Sequence, residues 1–499
     1  MARHLSHRRG RGRVLGALLL VTALVAAGCG DDDATSGSPS TEEPGGNGDE
    51  GAENTASDTG VTEDSIKIAI VAADLSGLVK AGALPGLPEN AHELNAKRYS
   101  YYFDQWNADG GINGRTIEYD LITWDPADPT SFDTACSEIT LDYKPFLVVN
   151  PGGGYLPDAI PCITADGDTF FGPCQDPVSV ATFEQSGSNL VTLAPPSELL
   201  SEAGAEFAIA GEHVPDGAKI AIVGGDSQFQ KDSAERAKAV FEEAGYDVVY
   251  SDPVAVNVAT TDAIQNMRLL VPKLQQAGAD HVVAMLAYGL MAPFSQEAVK
   301  SGLDVGYTLI EMQSGMCYSF AAALYPAEMD GATCVTSFDN NRIDDQLEPQ
   351  EDSEFEATCR TEYEEAQGFE TTVGVPFAGL TDVDGTEYNE DQSYFDCGAV
   401  KVLKQALADA GADLTKQSLY DAFLALGDFE LAGISDGKGS FGPGKPFAAT
   451  SMHAVRLVAN DPEQKKGADG LYGSCLVPRN CFQVITPDEW QPITATLSE

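Results

Sequence analysis

The sequence predicts an α/β protein of two lobes, each built on a parallel β-sheet that helices cover on both faces. The first observation is that short apolar runs alternate with stretches of helical periodicity, which is the pattern of parallel sheets with crossover helices. The second is that this alternation occurs in two series, one from residue 66 and one from residue 213. The third is that 43% of the 499 residues are hydrophobic, an ordinary fraction for a globular protein.

The first series begins with an apolar run at residues 66–71, which predicts a buried strand. Residues 94–109 place four aromatic side chains at the spacing of one helix face, and we interpret these aromatics as core residues. The glycine-rich segment 109–114 predicts the end of that helix and a turn. Two further strands are predicted at residues 117–123 and 146–149.

The second series repeats this order. Its strands and helices are predicted in turn at residues 219–223, 231–244, 247–250, 262–277, 281–286 and 293–301, with a kink expected at Pro272. After an acidic stretch with weak periodicity, helices are predicted at 398–410 and 417–426 and a strand at 453–458. Because ligands bind beyond the carboxyl ends of strands in open parallel sheets, the loops after these strands are the candidate binding loops.

Residues 1–28 predict a secretory signal peptide. They contain five arginines and no acid, and the arginines precede an apolar run from Val14 to Ala27. This run is shorter than the roughly 20 residues that a membrane-spanning helix needs, and small residues follow it, as at a signal cleavage site. The adjacent Arg8 and Arg9 leave twin-arginine export open as a second route.

The end of this segment, Ala26-Ala27-Gly28-Cys29, resembles a bacterial lipobox, in which the cysteine is lipidated. A lipobox usually has leucine at the position of Ala26, so cleavage by an ordinary signal peptidase is the alternative. Residues 30–60 are mostly small, polar or acidic, a composition that predicts a disordered tether. We therefore expect residues 29–60 to be a lipidated cysteine and an acidic tether that hold the folded part at the outer face of the bacterial cell membrane.

The charge balance argues against two classes of partner. The chain has 29 basic and 77 acidic residues, a formal net charge of −48, whereas nucleic acids and anionic lipid surfaces bind basic patches. Only nine of the acids lie in the tether, so the acidity belongs to the folded part. Such a surface favours a soluble, self-repelling monomer, and adaptation to a salty or alkaline habitat would give the same pattern.

Besides Cys29 there are nine cysteines, and none lies in a CxxC pair, so zinc-ribbon and thioredoxin-type sites lack their main cue. An exported chain meets an oxidising compartment, where disulfides form. Proximity in the sequence predicts the pairs Cys136–Cys162, Cys317–Cys334, Cys359–Cys397 and Cys475–Cys481, with Cys174 left over.

The segment 106–115, Trp-Asn-Ala-Asp-Gly-Gly-Ile-Asn-Gly-Arg, resembles a segment of the type I periplasmic binding proteins, particularly those of branched-chain amino acid and amide ABC importers. Residues 66–69 are similar to the first strand of that family, and Phe-Gly-Pro-Gly-Lys at 441–445 to a turn near its C terminus. The resemblance extends over residues 62–499. It implies two Rossmann-like lobes, joined by three crossovers, that close on a ligand between them.

The resemblance also implies where the lobes divide. Lobe 1 would contain residues 61–212 and 338–450, and lobe 2 residues 213–337 and 451–499.

Seven ligand-binding residues are implied by the same resemblance: Gly153, Gly154, Tyr155, Ser197, Phe229, Tyr288 and Glu311. The glycine loop would hold a ligand carboxylate through backbone N–H groups, and Ser197 would add a hydroxyl. Phe229 and Tyr288 would pack against the ligand, and Glu311 would bind its ammonium group. The serine usual in the glycine loop is absent here, which leaves amides, urea, short peptides and hydrophobic acids open besides amino acids. Each residue also has a structural alternative, as part of a tight turn, of interlobe packing or of the acidic surface.

The implied function is that of a solute-binding lipoprotein, which captures a small polar ligand by hinge closure and delivers it to the permease of an ABC importer. We expect no catalysis, cofactor or metal. A ligand-sensing module for a receptor is the alternative that the sequence leaves open.

A secreted enzyme is the less favoured alternative. Four histidines outside the signal are scattered, and the HxxxH, GxSxG and GxxxxGK[ST] motifs are absent. One acidic loop offers calcium ligands but lacks the EF-hand spacing. Its residues are Asp382, Asp384, Glu387 and Asn389.

Overall fold

The computed structural model describes most of the chain from Glu53 onward. The described residues are 53–80, 89–125, 128–151, 159–165, 167–172, 178–256, 260–286, 288–312, 316–317, 319–322, 324–338, 352–368, 380–381, 387–388, 393–459, 480–485 and 490–497.

Five parallel strands form the first sheet, in the order β2-β1-β3-β4-β5. They are β1 (Ser65–Ala73), β2 (Thr116–Trp124), β3 (Leu147–Val149), β4 (Thr169–Gly172) and β5 (Leu190–Thr192). The interior strands β1 and β3 are apolar and almost entirely buried, whereas the edge strand β2 alternates between exposed and buried residues. This difference follows from the position in the sheet, because helices cover both faces of an interior parallel strand.

The second sheet begins with five more parallel strands. They are β6 (Lys219–Gly224), β7 (Asp247–Tyr250), β8 (His281–Met285), β9 (Gly306–Ile310) and β10 (Thr333–Thr336). Four short strands then form two separate pairs, β11 (Leu380–Thr381) with β12 (Glu387–Tyr388) and β13 (Asp428–Glu430) with β14 (Lys438–Ser440). The final strands β15 (Ser451–Ala459), β16 (Asn480–Val484) and β17 (Gln491–Pro492) return to the second sheet. Its order is β16-β15-β10-β9-β8-β6-β7, and β15 is antiparallel to β10 and to β16.

The strands are connected through thirteen α-helices in the described part of the chain. They are α1 (Ser76–Lys80), α2 (Ala91–Ala108), α3 (Pro129–Ser137), α4 (Ala159–Ala165), α5 (Val180–Ser186), α6 (Ser197–Ala210), α7 (Gln228–Glu243), α8 (Thr260–Ala277), α9 (Tyr288–Lys300), α10 (Ser319–Ala322), α11 (Glu354–Gln367), α12 (Ser393–Asp409) and α13 (Lys416–Ala425). The predicted α/β class is therefore confirmed.

Helix α6 contacts the second sheet. A β-carbon on Gly204 would lie 2.5 Å from Cγ2 of Ile310 in β9, so the helix and the strand are closely packed. The hydroxyl of Ser201 also donates to the carbonyl of Ser233 in α7. The predicted lobe boundary at residue 212 thus falls at the end of a helix that packs on the second sheet.

Residues 53–60 were expected to belong to the disordered tether, but the structure binds them to the folded part. The backbone N–H of Thr55 donates to the carbonyl of Ala412 at 3.3 Å. The carboxylate of Asp58 accepts a hydrogen bond from the backbone N–H of Lys416 at 2.9 Å. Polar composition alone did not reveal this docking, because the partners are backbone groups about 350 residues away in the chain.

Candidate functional site

Three connections join the two sheets, and all of them lie at the carboxyl ends of parallel strands. The first leaves β5 and enters α6 directly. The second leaves β10, and just after this strand Phe338 forms an antiparallel β-bridge with Ile434. The third runs through residues 447–450 into β15, where Phe447 bridges to Thr192 at the end of β5. The carboxyl edges of the sheets therefore meet around these connections, and a ligand between the sheets would contact the loops at those edges.

The strand order of each sheet shows which of these loops are the strongest candidates to line the site. In the first sheet β2 lies on one side of β1 and β3 on the other, so the crossover direction reverses between β1 and β3. In the second sheet β7 and β8 lie on opposite sides of β6, so the reversal falls between β6 and β8. Open α/β sheets form a crevice at such switch points. The loops after β1, β3, β6 and β8 are therefore the strongest candidates to line the site.

Two sequence-predicted residues lie in the first turns of the helices that follow the second sheet's switch-point strands. Phe229 is half-buried in the first turn of α7, just after the β6 loop. The side chains of Ser227 and Gln230 fix the start of this helix in a capping box. Gly225 in the loop leaves room for this cap, since a β-carbon there would lie 2.2 Å from Oε1 of Gln230. Tyr288 is the first residue of α9, after β8, and its side chain is outside the described part.

Glu311 directly follows β9 and is fully buried. Its Oε1 accepts a hydrogen bond from the backbone N–H of Cys317 at 3.1 Å, and its Oε2 accepts one from the hydroxyl of Thr336 at 2.5 Å. Cys317 is also joined to β10 through its disulfide with Cys334. In this geometry Glu311 holds the segment after β9 against β10, and no part of its carboxylate reaches solvent.

Ser197 lies at the first connection, where it begins α6. Its side chain is 1% exposed, and its backbone N–H donates to the carbonyl of Val178 at 2.9 Å. Its hydroxyl has no hydrogen-bond partner among the described residues. A buried hydroxyl without a partner is costly, and a ligand group at this connection would remove that cost.

The remaining ligand-binding predictions, Gly153, Gly154 and Tyr155, lie outside the described residues. The described chain before them ends at Asn150 and Pro151, both buried at the carboxyl end of β3. Their loop therefore starts at the switch point of the first sheet. Cys29 also lies outside the described residues.

Sequence reasoning missed Asp74, which follows β1 at this same switch point. Its backbone N–H donates to the carbonyl of Trp124 at 2.7 Å, and its Oδ1 accepts the backbone N–H of Ser76 at 2.9 Å. Nδ1 of His92 lies 3.4 Å from the same Oδ1. The available signal was the position directly after the first strand, but a single acid among 77 does not stand out without the order of the sheet.

Three of the predicted disulfides are present: Cys136–Cys162, Cys317–Cys334 and Cys359–Cys397. Cys174, Cys475 and the side chain of Cys481 lie outside the described residues, so the fourth pair stays a prediction.

Within the described part, one group of side chains has the spacing of metal ligands, Cys359, Glu362 and Cys397. Its two cysteines form the third disulfide, so these sulfurs are not available to a metal.

The calcium-binding alternative concerns residues 382–389. Its side chains lie outside the described part of the structure. Among the residues that the structure describes, no helix is both long and apolar enough to cross a membrane.

Comparison with known families agrees with this architecture. The model of the periplasmic binding protein family matches residues 97–376, more than half of the chain. The chain belongs to the periplasmic binding protein family. This membership confirms the resemblance read from residues 106–115. No curated protein matches the chain in sequence.

Solved structures with the same fold are ABC transporter solute-binding proteins. One from Rhodopseudomonas palustris, in complex with 3,4-dihydroxybenzoic acid, has a TM-score of 0.55 and 14% identity and covers 84% of this chain and 96% of its own. A fatty acid ABC transporter substrate-binding protein from Thermomonospora curvata has a TM-score of 0.54 and 15% identity, with coverages of 84% and 93%. A leucine-, isoleucine-, valine-, threonine- and alanine-binding protein from Brucella ovis, in a closed conformation, has a TM-score of 0.56 and 15% identity, with coverages of 85% and 95%.

Proposed function

We propose that this periplasmic binding protein captures a small polar ligand between its lobes and delivers it to the permease of an ABC importer. The observation that carries the proposal is the arrangement of the two sheets, whose carboxyl edges meet around three connections with a switch point in each sheet. Ligand contact with both edges would favour a closed state over an open one, which is how a hinge protein couples binding to a change of shape.

The proposed lobes are residues 61–212 with 338–450 and residues 213–337 with 451–499, with one change: α6 (Ser197–Ala210) is assigned to lobe 2. Because α6 packs against β9, the helix would move with lobe 2, and the first hinge would lie between Thr192 and Ser197. We propose that Gly153, Gly154, Tyr155 and Ser197 contact the ligand from the lobe 1 side and the first connection. The contacts from the lobe 2 side would come from Phe229 and Tyr288, in the first turns of α7 and α9, while the buried Glu311 would support the segment after β9.

The N-terminal segment supports a location outside the cytoplasm, where family members bind their ligands. We propose that residues 1–28 direct export and that lipidated Cys29 anchors the protein to the membrane. Replacement Cys29→Ser is expected to move the protein from the membrane fraction to the soluble fraction of the native host. An unchanged membrane fraction would contradict the anchor without affecting the binding proposal.

A thermal-shift screen of the mature protein tests ligand binding. The panel contains amino acids, amides, aromatic acids, short fatty acids and polyamines. A ligand present at 100 times its Kd is expected to stabilise the folded state by about 2.7 kcal/mol, and small-angle X-ray scattering should show a smaller radius of gyration with that ligand. If no compound shifts the transition, capture of a small ligand is wrong for this chain.

Transport is tested separately in the native host. Deletion of the chain should abolish uptake of the ligand that the screen identifies. Normal uptake with loss of a transcriptional or chemotactic response would instead favour the receptor-linked sensor.

A further inference from the structure

Asp74 differs from Glu311 in what its carboxylate can reach. The side chain of Asp74 is 35% exposed, whereas Glu311 is 0% exposed and both its oxygens accept hydrogen bonds from the second sheet and the segment after β9. Both residues follow a parallel strand, but Asp74 lies at the switch point and Glu311 lies one strand beyond it.

The two oxygens of Asp74 have different surroundings. Oδ1 accepts the backbone N–H of Ser76 at 2.9 Å, and His92 Nδ1 lies 3.4 Å from the same atom. Oδ2 makes no hydrogen bond or ion pair with any residue that the structure describes. The carboxylate is thus oriented through one oxygen, and the other is available to a ligand.

The charge of this carboxylate is maintained by its neighbours. Partial burial acts to raise the pKa of Asp74, but the hydrogen bonds from Ser76 and the charges of His92 and Lys80 outweigh it, so the pKa lies below its ordinary value of 3.8. Asp74 is therefore ionised at neutral pH. Lys80 does not neutralise it by contact, since its ammonium group pairs with Glu89 at 3.3 Å.

We propose that Asp74 binds a cationic nitrogen of the ligand through Oδ2, so that the ligand carries a primary ammonium or a related cation. This inference rests on the proposed function and moves the ammonium contact from Glu311 in lobe 2 to Asp74 in lobe 1. The net charge of −48 agrees with it, because an acidic surface raises the local concentration of cations and disfavours anionic ligands.

The test compares matched pairs of probes that differ in one amino group. The pairs are L-leucine with 4-methylpentanoate and 4-(aminomethyl)benzoate with 4-methylbenzoate, and putrescine is added as a diamine. Binding to the mature protein is measured by thermal shift and calorimetry. At least one amine is expected to bind, and its amine-free partner is expected to bind about 10- to 100-fold more weakly, which is the range for a hydrogen bond to a charged group.

Three variants locate the contact. Asp74→Asn keeps the shape and the oxygen that Ser76 bonds, and it should raise the Kd of the amine about 10- to 100-fold. Asp64→Asn is the matched control, because Asp64 is an exposed aspartate just before the opposite end of β1, and it should leave the Kd unchanged. Glu311→Gln should change the Kd less than threefold once circular dichroism shows that the variant is folded.

The outcomes separate this inference from the proposed function. Unchanged amine affinity in Asp74→Asn, or a wild-type protein that binds only amine-free compounds, overturns the cationic contact and leaves ligand capture intact. A large loss in Glu311→Gln with none in Asp74→Asn restores the sequence-based assignment. Absence of binding by every probe and by the wider panel contradicts the proposed function, and this inference with it.

Discussion

At the residue scale, the segment that identifies the family has a structural role. The side chain of Asn107 binds the backbone of β2 at Ile117. Its Oδ1 accepts a hydrogen bond from the backbone N–H of Ile117 at 2.6 Å, and its Nδ2 donates one to the carbonyl of the same residue at 2.9 Å. Gly111 has φ +79°, and a β-carbon there would lie 2.0 Å from the carbonyl oxygen of Arg115. The glycines and the asparagine therefore fix the turn between α2 and β2, at the edge opposite the candidate site.

Arg115 completes this turn. Its side chain is 1% exposed, and its guanidinium donates to the carbonyls of Thr62, Thr55, Gly411 and Ala412. The residue thus holds the start of the folded chain and the α12–α13 loop together. The sequence motif was recognised from its resemblance to the family, but only the structure shows that its arginine binds backbone carbonyls.

We expect Arg115→Met to lower the free energy of unfolding by about 3 kcal/mol, because it leaves several buried carbonyls without donors. The matched control is Arg236→Met, whose guanidinium pairs with Glu202 at 2.8 Å with side chains 41% and 38% exposed. An exposed pair contributes little, so the control should lie within about 0.5 kcal/mol of wild type. Urea denaturation measures both, and equal effects would contradict the structural role of Arg115.

His453 predicts a pH dependence of stability. Its ring is 2% exposed, donates from Nε2 to the carbonyl of Phe338 at 2.9 Å and stacks on Trp490 with centroids 4.0 Å apart. Burial lowers its pKa from 6.5 to about 4. Between these values the unfolded chain binds the proton and the folded protein does not, so stability is full above pH 6.5 and falls as pH drops towards 4.

The replacement His453→Gln should remove this part of the pH dependence, which amounts to about 3 kcal/mol between pH 7 and pH 4. His281 is a second source, since burial lowers its pKa to about 4 as well. Thermal unfolding across this pH range should therefore show a smaller slope in the single variant and a still smaller one in the variant that also carries His281→Gln. A slope as steep as that of wild type in both variants would show that other groups control the acid response.

At the scale of elements, length did not decide which elements were predicted: the short strands β3 and β7 were predicted, whereas the 14-residue helix α6 was missed. The aromatic stripe of α2 and the strand β1 were predicted within a few residues of their observed ends. The strands β4 and β5 were not predicted, because each contains only two consecutive apolar residues, whereas β3 and β7 contain three. Helix α11 was also missed in its acidic stretch, although Ser353 and Glu356 form a capping box there that the spacing of the two residues could have indicated.

The packing of α6 on the second sheet gives a prediction at this scale. Gly204→Ala would bring a β-carbon to 2.5 Å from Cγ2 of Ile310, and such overpacking should destabilise the protein by about 1–3 kcal/mol. Glu206→Ala on the exposed face of the same helix is the control and should change stability by less than about 0.5 kcal/mol.

A second replacement tests whether the contact between residues 204 and 310 causes the predicted loss of stability. Ile310→Ala in the Gly204→Ala background removes the clashing methyl group, so the two changes together should cost less than the sum of the separate costs. Chemical denaturation of the four proteins measures this coupling. Additive costs would show that α6 does not pack closely on β9.

At the scale of the whole molecule, the sequence was sufficient for the fold class, since the alternation of strands and helices depends on local patterns. The individual contacts depend on sheet order and on partners far apart in the chain, so the sequence could not show that both oxygens of Glu311 accept hydrogen bonds or that Asp74 lies at a switch point. The role of Ser435 was also invisible in the sequence. This fully buried residue has φ +50° and lies beside two of the connections that the proposed hinge motion would bend.

Ser435 holds two of the three connections together. Its backbone N–H donates to the carbonyl of Ser337 at 2.9 Å, in the second connection. Its hydroxyl donates to the carbonyl of Ser451 at 2.9 Å and accepts the backbone N–H of Thr450 at 3.0 Å, in the third. These bonds cross from the first-sheet side of the molecule to the strand β15 of the second sheet.

Replacement of Ser435 should therefore change both stability and ligand-driven closure. Ser435→Ala loses the hydroxyl and is expected to cost about 2 kcal/mol. Ser435→Gly loses the same bonds but relieves the left-handed backbone, so it should be more stable than the alanine variant by about 1 kcal/mol, the reverse of the usual order of these residues. Both variants should bind the screened ligand several-fold more weakly than wild type, with a smaller ligand-induced change in the radius of gyration, because the closed state relies on the shared hinge. Wild-type closure and affinity in both variants would show that Ser435 stabilises the fold without guiding the motion of the lobes.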